Sequence, residues 1–190
     1  MSSPVNSDKP AVVLCESDPA WVQTYEDLRL EIWRLVSPFA TAIEHVGSTS
    51  VANLPAKPVI DIDIVVPDRE ASDATIAALV AAGYVHRGDL GIPFRESMQE
   101  PEGSPRHNLY VCLDGCLALN NHLVFRDHLR QNSVDAMAYG NLKRRLAQEH
   151  ADDLPAYVEG KTAFILEILS RYEFDQEALH QILQVNRRPD

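Results

Sequence analysis

Long hydrophobic runs are missing from this chain of 190 residues, although 45% of its residues are hydrophobic. No stretch approaches the roughly 18 consecutive apolar residues that a transmembrane helix needs, so we expect no membrane partner. The polar segment 1–10 also lacks the apolar centre of a secretory signal. We expect this segment to be a disordered leader.

Cysteine is scarce as well, with only Cys15, Cys112 and Cys116 present. An odd number of cysteines without a second closely spaced pair indicates neither a disulfide framework nor a zinc site. Reduced thiols are the ordinary state in the cytoplasm. Together with the absence of a signal, this predicts a cytoplasmic protein.

Positive charge is in deficit, because 17 lysines and arginines face 28 acidic residues, for a net charge of −11. Binding along a nucleic-acid backbone depends on a surplus of basic residues, so long nucleic acid is not an expected partner. The sequence also contains no Walker-type loop and no GxGxxG motif. A small phosphorylated ligand, held by a few local cations and a metal, remains possible on these grounds.

Two aspartates interrupt an otherwise apolar segment at residues 58–67. The β-branched residues around them predict a strand, and Asp61 and Asp63 then project from the same face, roughly 7 Å apart. Carboxylates are rarely buried without a partner, and a divalent cation or a cationic ligand would supply one. The alternative is a half-buried strand whose aspartates face water.

Just before this strand, residues 43–50 predict a short strand that breaks into a turn at Gly47 and Ser48. The turn followed by Asp61-Ile62-Asp63 resembles the signature of the nucleotidyltransferase superfamily. The longer sequence segments at 43–49 and 56–62 are similar to those of GrpB-like proteins within that superfamily, some of which are fused to dephospho-CoA kinase.

The resemblance implies a function and a set of site residues. Asp61 and Asp63 would hold Mg²⁺ (or Mn²⁺), and the turn formed by Gly47, Ser48 and Thr49 would bind nucleotide phosphates. The reaction would transfer a nucleotidyl group from a nucleoside triphosphate to an unknown hydroxyl acceptor, on a small molecule or a protein. The alternatives are a catalytically inactive module that binds a nucleotide or a CoA-like ligand, and a plain interaction protein.

Four cations are further candidates for nucleotide binding. Lys57 directly precedes the strand with the aspartates, and the other three match basic positions of the family: Arg126, Lys143 and Lys161. Such side chains hold phosphates as point charges or forks. Their alternative role is the common one, a solvated loop or helix surface.

A third carboxylate of the superfamily commonly comes from the strand after the aspartate pair. That strand, predicted at residues 106–113, contains no acidic residue before Asp114. His107 is our candidate to bind metal or act as a base there, with an ordinary strand histidine as the alternative. The missing acid keeps the inactive binding module open.

The expected fold is α/β, with a nucleotidyltransferase-like small mixed β-sheet flanked by helices and a helical C-terminal extension. We expect one domain at 11–190, with the sheet in 11–115 and the helical extension in 116–186. Strands are predicted at 11–15, 43–46, 59–66, 84–86, 94–98 and 106–113. Helices are predicted at 19–37, 49–56, 69–82, 120–130, 134–150, 156–172 and 173–185.

Overall fold

The computed structural model describes residues 12–187. The strands are β1 (Ala42–Val46), β2 (Ile60–Val66), β3 (Val85–Gly88), β4 (Arg95–Gln99) and β5 (His107–Leu113). The helices are α1 (Ala20–Val36), α2 (Arg69–Ala81), α3 (Leu117–Gln131), α4 (Ser133–Glu149), α5 (Leu154–Gly160), α6 (Thr162–Leu169) and α7 (Gln176–Asn186). A single 3₁₀ turn spans Ser48–Ser50.

The five strands form one mixed sheet in the order β1-β2-β5-β4-β3. Strands β2 and β5 run parallel at its centre, and the other pairs are antiparallel. The connection between the parallel strands contains α2, β3 and β4, which gives the long crossover that parallel pairing requires. The predicted fold class, a mixed sheet flanked by helices with helices following it, is confirmed.

The two faces of β2 differ in chemistry, as its alternating sequence predicts. Ile60, Ile62 and Ile64 are at most 3% exposed and pack in the main core. Leu109 and Val111 of β5 join the same core. Asp61 and Asp63 therefore point away from this core, towards the helices that follow the sheet.

Helix α1 covers the apolar face of the sheet. Trp21, Tyr25, Leu28 and Ile32 recur at helical spacing and are buried, which is the pattern expected of one helix face. Val36, rather than the predicted Leu35, completes this face, because it has no exposed surface whereas Leu35 is 36% exposed.

The helix predicted at 156–172 is divided into α5 and α6. The division falls at Gly160, and glycine is the weakest helix former after proline. The amide of Lys161 donates to the carbonyl of Val158 instead of continuing the α-helical pattern. Gly160 also packs so closely on Leu146 that a methyl group there would overlap it.

Two other predicted elements are shorter than expected. The strand predicted at 11–15 is reduced, within the described residues, to an isolated bridge between Cys15 and Ala56. The helix predicted at 49–56 is only the 3₁₀ turn, and Asn53 then adopts a left-handed backbone with φ of 61°. The leader predicted at 1–10 lies outside the described residues.

Among residues 12–187, no helix is both long and apolar enough to cross a membrane. The three cysteines are free, with Cys112 and Cys116 buried. The cytoplasmic location stays a prediction.

Candidate functional site

A cleft of about 240 Å³ opens between the polar face of the sheet and the helices that follow it. Its lining residues are Val46, Gly47, Ser48, Val51, Asp61, Tyr110, Asn121, His122, Phe125, Arg126, Leu129, Tyr139, Val158, Lys161, Ile165 and Asn186. We call this space the site cleft.

The Gly47 backbone lies directly against the carboxylate of Asp61. A Cβ atom at position 47 would overlap the Asp61 side chain, and Gly47 has a φ of +67°, which residues with a side chain rarely adopt. Strand pairing brings the two together, because Val46 lies opposite Asp61 in the β1–β2 ladder. Glycine is therefore required here for both space and backbone conformation.

The carboxylate of Asp63 is completely buried. His122 of α3 donates a hydrogen bond from Nδ1 to Asp63 Oδ2 over 2.7 Å. The other oxygen, Oδ1, is buried without a hydrogen-bond partner among residues 12–187. Burial alone would lower the pKa of His122, but the charge and hydrogen bond of Asp63 outweigh it and raise that pKa.

The aspartate pair fits a cation that brings most of its own ligands. Among residues 12–187, Asp63 Oδ1 is a buried oxygen without a hydrogen-bond partner. In Asp61, Asn108 donates to Oδ1 over 2.7 Å, and Oδ2 takes no part in this bond. Within the part of the chain that the structure describes, no group of three or more His, Cys, Asp or Glu side chains is suited to a metal. Mg²⁺ is commonly held by one or two carboxylates together with substrate phosphates and water, which matches this donor set.

The position where the superfamily resemblance implies a third carboxylate is polar but neutral. Asn108 lies beside Asp61 and Tyr110 beside Asp63 in the β2–β5 register. A third carboxylate does occur on this face of the sheet, because Glu44 of β1 pairs with Asp63 in the ladder. This Glu44 carboxylate is paired with Arg126, whose Nη1 donates to Glu44 Oε2 over 2.6 Å.

Lys143 is buried beneath the Gly47–Ser48 turn rather than exposed in the site cleft, with 1% of its surface accessible. Its ammonium donates to Ser48 Oγ over 2.7 Å and also to the carbonyl of Pro55, and it lies over the Tyr139 ring. Burial, aided by the charge of Lys161 and opposed by Asp61, lowers the pKa of Lys143 to about 6.

Three of the four lysines of the chain surround this turn and Asp61. Burial and the charge of Lys57 lower the pKa of Lys161 to about 8, against the opposing charge of Asp61. Burial likewise lowers the pKa of Lys57, although Asp61 opposes the shift. Among residues 12–187, none of the ion pairs involves Lys57, Lys143 or Lys161.

The structure brings Gly47, Ser48, Asp61, Arg126 and Lys161 together as lining residues of the site cleft. It places others of the predicted residues elsewhere. Thr49 is buried and bonded to His45 over 3.0 Å, on the side of the sheet that faces α1, where His45 stacks on Tyr25.

His107 does not belong to the site. It pairs with Ile60 in the ladder, so its side chain points to the main core rather than to the aspartates. There it is 1% exposed and bonded to Tyr84 and to the carbonyl of Pro105. The catalytic role considered for His107 is therefore corrected to a packing role.

The histidine that does contact the aspartate pair is His122, which sequence reasoning missed. A signal was present, because His122 and Arg126 are four residues apart and so share one face of α3. Arg126 was already a candidate, and the same helical face therefore pointed to His122.

The fold of this chain resembles that of a solved polymerase. The chain superposes on the Cid1 poly(U) polymerase in its MgATP-bound H336N form with a TM-score of 0.53 and 13% identity, over 86% of this chain and 54% of Cid1. At that identity the likeness concerns the fold alone, and it agrees with the predicted nucleotidyltransferase-like sheet.

The chain belongs to the GrpB family, whose match covers residues 11–171. It is similar to the GrpB protein of Enterococcus faecalis, whose crystal structure superposes with a TM-score of 0.75 at 33% identity, over 89% of this chain and 98% of that one. A UPF0157 protein of Streptomyces coelicolor is 36% identical over 83% of this chain and 82% of its own length. The UPF0157 protein YqkA of Bacillus subtilis is 34% identical, and the match spans 42% of its length.

Replacing Gly47 by alanine should destabilise the protein more than the same change at Gly115. Both glycines have a positive φ, of +67° and +71°, but only at position 47 does a Cβ meet the Asp61 carboxylate. The overlap should add about 1–3 kcal/mol to the cost of backbone strain. Urea denaturation of both variants measures the difference, and equal losses would contradict the close contact.

Lys143 should make the stability of the protein depend on pH. Its pKa is about 6 when folded and 10.5 when unfolded, so unfolding takes up a proton between these values and the free energy of unfolding rises with pH there. The free energy of unfolding of the wild type minus that of Lys143→Met should grow from pH 7 to pH 9, by up to about 1.4 kcal/mol per pH unit.

The matched control for this experiment is Arg145→Met, which removes an exposed cation from the same helix. Its difference from the wild type should not change over this pH range. If the difference in free energy of unfolding between the wild type and Lys143→Met were also independent of pH, the buried lysine would not have the lowered pKa.

Proposed function

We propose that this protein binds a nucleoside triphosphate together with Mg²⁺ or Mn²⁺ in the site cleft and transfers its nucleotidyl group to a hydroxyl acceptor. The observation that carries the proposal is that lysines, which would pair with an anion, lie next to aspartates, which would pair with a cation. Lysines without ion pairs among residues 12–187 lie beside carboxylates with free oxygens. A metal–nucleotide complex satisfies both at once.

The phosphates are the part of the ligand that the lysines recognise. Lys161 lines the site cleft, and Lys143 reaches the turn through Ser48. An anion bound there would restore the charged form that burial disfavours in these lysines. In a chain with a net charge of −11, gathering three of four lysines at one turn supports a local anion site.

Asp61 and Asp63 are the residues that would hold the metal. Mg²⁺ or Mn²⁺, when bound, supplies charge stabilisation to the phosphates and a lower pKa to an attacking hydroxyl. His122 keeps the Asp63 carboxylate in place through its hydrogen bond. Gly47 lets the backbone approach the same point, and Ser48 presents a hydroxyl that accepts from Lys143.

The apolar wall of the site cleft suits a nucleobase. Phe125 and Tyr139 meet there edge to face, with ring centroids 5.0 Å apart, and Leu129 and Ile165 extend the surface. Aromatic side chains can stack on any nucleobase, because every base has a π-face. The related fold of Cid1 holds MgATP, which supports a nucleotide as the ligand.

The reaction needs no further cofactor. The hydroxyl oxygen of the acceptor forms a bond to the α-phosphorus, pyrophosphate leaves with the electrons of the broken bond, and the hydroxyl proton is released. The protein contributes positioning and charge, which dominate catalysis of phosphoryl chemistry.

A binding module without turnover is the second candidate. Asn108 donates to Asp61 at the position where the superfamily resemblance implies a third carboxylate. Glu44, the other acid on this face, is held by Arg126. Both features favour retention of a ligand over chemistry on it.

Calorimetric titration of each nucleoside triphosphate, with and without Mg²⁺, tests the proposal. The double variant Asp61→Asn/Asp63→Asn should lose metal-dependent binding by at least about tenfold, whereas Asp114→Asn, at an exposed position after β5, should bind as the wild type does. The double variant should fold, because burial already raises the pKa of Asp61 and disfavours its charge.

Three results decide between the candidates. Metal-dependent binding that disappears in the double variant, and weakens in Lys161→Met, supports the transferase. Binding that ignores both metal and the aspartates supports the module without turnover. No binding of any nucleotide by the wild type would refute both.

A further inference from the structure

A second cavity of about 320 Å³ adjoins the site cleft and has no role in nucleotide binding as described above. The two spaces share Asn121, His122 and Asn186 in their linings. The cavity is otherwise mostly apolar and extends from Phe94 to Ile182 of α7. Its volume is that of a small-molecule site.

Arg95 gives this cavity one strong polar group. Its guanidinium lies over the Tyr110 ring, 4.3 Å from the centroid. Its Nε is buried with no hydrogen-bond partner among residues 12–187, and no ion pair of the described chain includes it. The guanidinium lines the cavity without a carboxylate partner among the described residues, so an anionic group bound there would pair with it.

The position of Arg95 ties the cavity to the aspartate pair. Arg95 lies opposite Cys112 in the β4–β5 ladder, and Cys112 is on the same side of β5 as Tyr110. Tyr110 lies beside Asp63 in the neighbouring ladder. The guanidinium, the tyrosine ring and the carboxylates therefore share one face of the sheet.

We propose that this second cavity is the acceptor subsite, and that it takes a small molecule with an apolar body, a hydroxyl and one anionic group. The anionic group, a carboxylate or a phosphate, pairs with Arg95, whose fork suits bidentate recognition of either. The hydroxyl is presented across the boundary at Asn121 and His122 to the α-phosphorus of the nucleotide. This inference rests on the proposed function and specifies its acceptor.

The apolar walls favour a compact acceptor over a polymer. The cavity is bounded by the start of α3 at Cys116 and Ala118, and by Val185 on α7. Such walls bury an aliphatic or aromatic body, which contributes most of the binding of small ligands. A single arginine then distinguishes an anionic acceptor from a neutral one.

Titration of the full chain by heteronuclear NMR with three matched probes, two anionic and one neutral, tests the subsite. The probes are 4-hydroxyphenylacetate and its neutral analogue 2-(4-hydroxyphenyl)ethanol, and 4-hydroxybenzylphosphonate replaces the carboxylate by a phosphate-like group. An anionic probe should bind with shifts confined to the cavity and at least about tenfold more tightly than the neutral analogue. The tighter of the two anions identifies the group that Arg95 prefers.

Arg95→Met should abolish this preference, raising the Kd of the anionic probe at least about tenfold without affecting the neutral one. Arg87→Met is the matched control, because Arg87 is exposed on the neighbouring strand β3. Val185→Trp, at a 45% exposed position of the lining, should block both probes, whereas Gln184→Trp, on the same helix and outside the lining, should not. These two variants keep the test valid if Arg95→Met fails to fold.

Equal binding of the charged and neutral probes, or unchanged binding in Arg95→Met, would overturn the inference. Nucleotide titration of Arg95→Met separates the two proposals, since it should bind nucleotide as the wild type does. Failure of the wild type to bind either anionic probe, while it still binds nucleotide, refutes the acceptor subsite alone. Probe binding in a protein that binds no nucleotide refutes the proposed function and, with it, the acceptor role of the cavity.

Discussion

The contact between the Gly47 backbone and the Asp61 carboxylate is the constraint around which the rest of the site is arranged. It joins the end of β1 to β2, so that the Gly47–Ser48 turn and the strand that carries the two aspartates meet at one point. Lys143 then fixes the turn from below through Ser48, and His122 fixes Asp63 from α3. The sheet and the helices that follow it therefore both define the geometry of the carboxylates.

The electrostatics of the site are unbalanced in a way that a ligand would correct. Desolvation lowers the pKa of Lys57, Lys143 and Lys161 and raises that of Asp61. Each of these groups is thus held in surroundings that disfavour its charged form. Phosphate near the lysines and a cation near the aspartates would reverse all four effects, which is why a metal–nucleotide complex explains more than either component alone.

Much of the fold was predictable because its signals are periodic. The alternation in β2 predicted which residues face the core, and the spacing from Trp21 to Ile32 predicted the buried face of α1. The left-handed backbone at Asn53 interrupts the helix predicted at 49–56, although asparagine tolerates this conformation better than most residues. The break at Gly160 was harder to predict, since one glycine within a long apolar pattern is often tolerated in a helix.

The site was less predictable because side-chain position depends on contacts between distant segments. Whether Lys143 faces the cleft or the underside of the turn depends on how α4 packs on the Pro55 loop, 88 residues away in sequence. His107 was a candidate to bind metal or act as a base, although it shares the alternation of Leu109 and Val111, which are both core residues. Applying the alternation argument of β2 to β5 would have placed it correctly.

The most direct test of the account is a crystal structure of the protein with Mn²⁺ and a nucleoside triphosphate analogue that cannot be cleaved between the α and β phosphates. We expect an anomalous manganese peak bonded to both Asp61 and Asp63, with the phosphates beside Ser48 and Lys161. A nucleotide bound away from the Gly47 turn, or manganese located without contact to either aspartate, would contradict it.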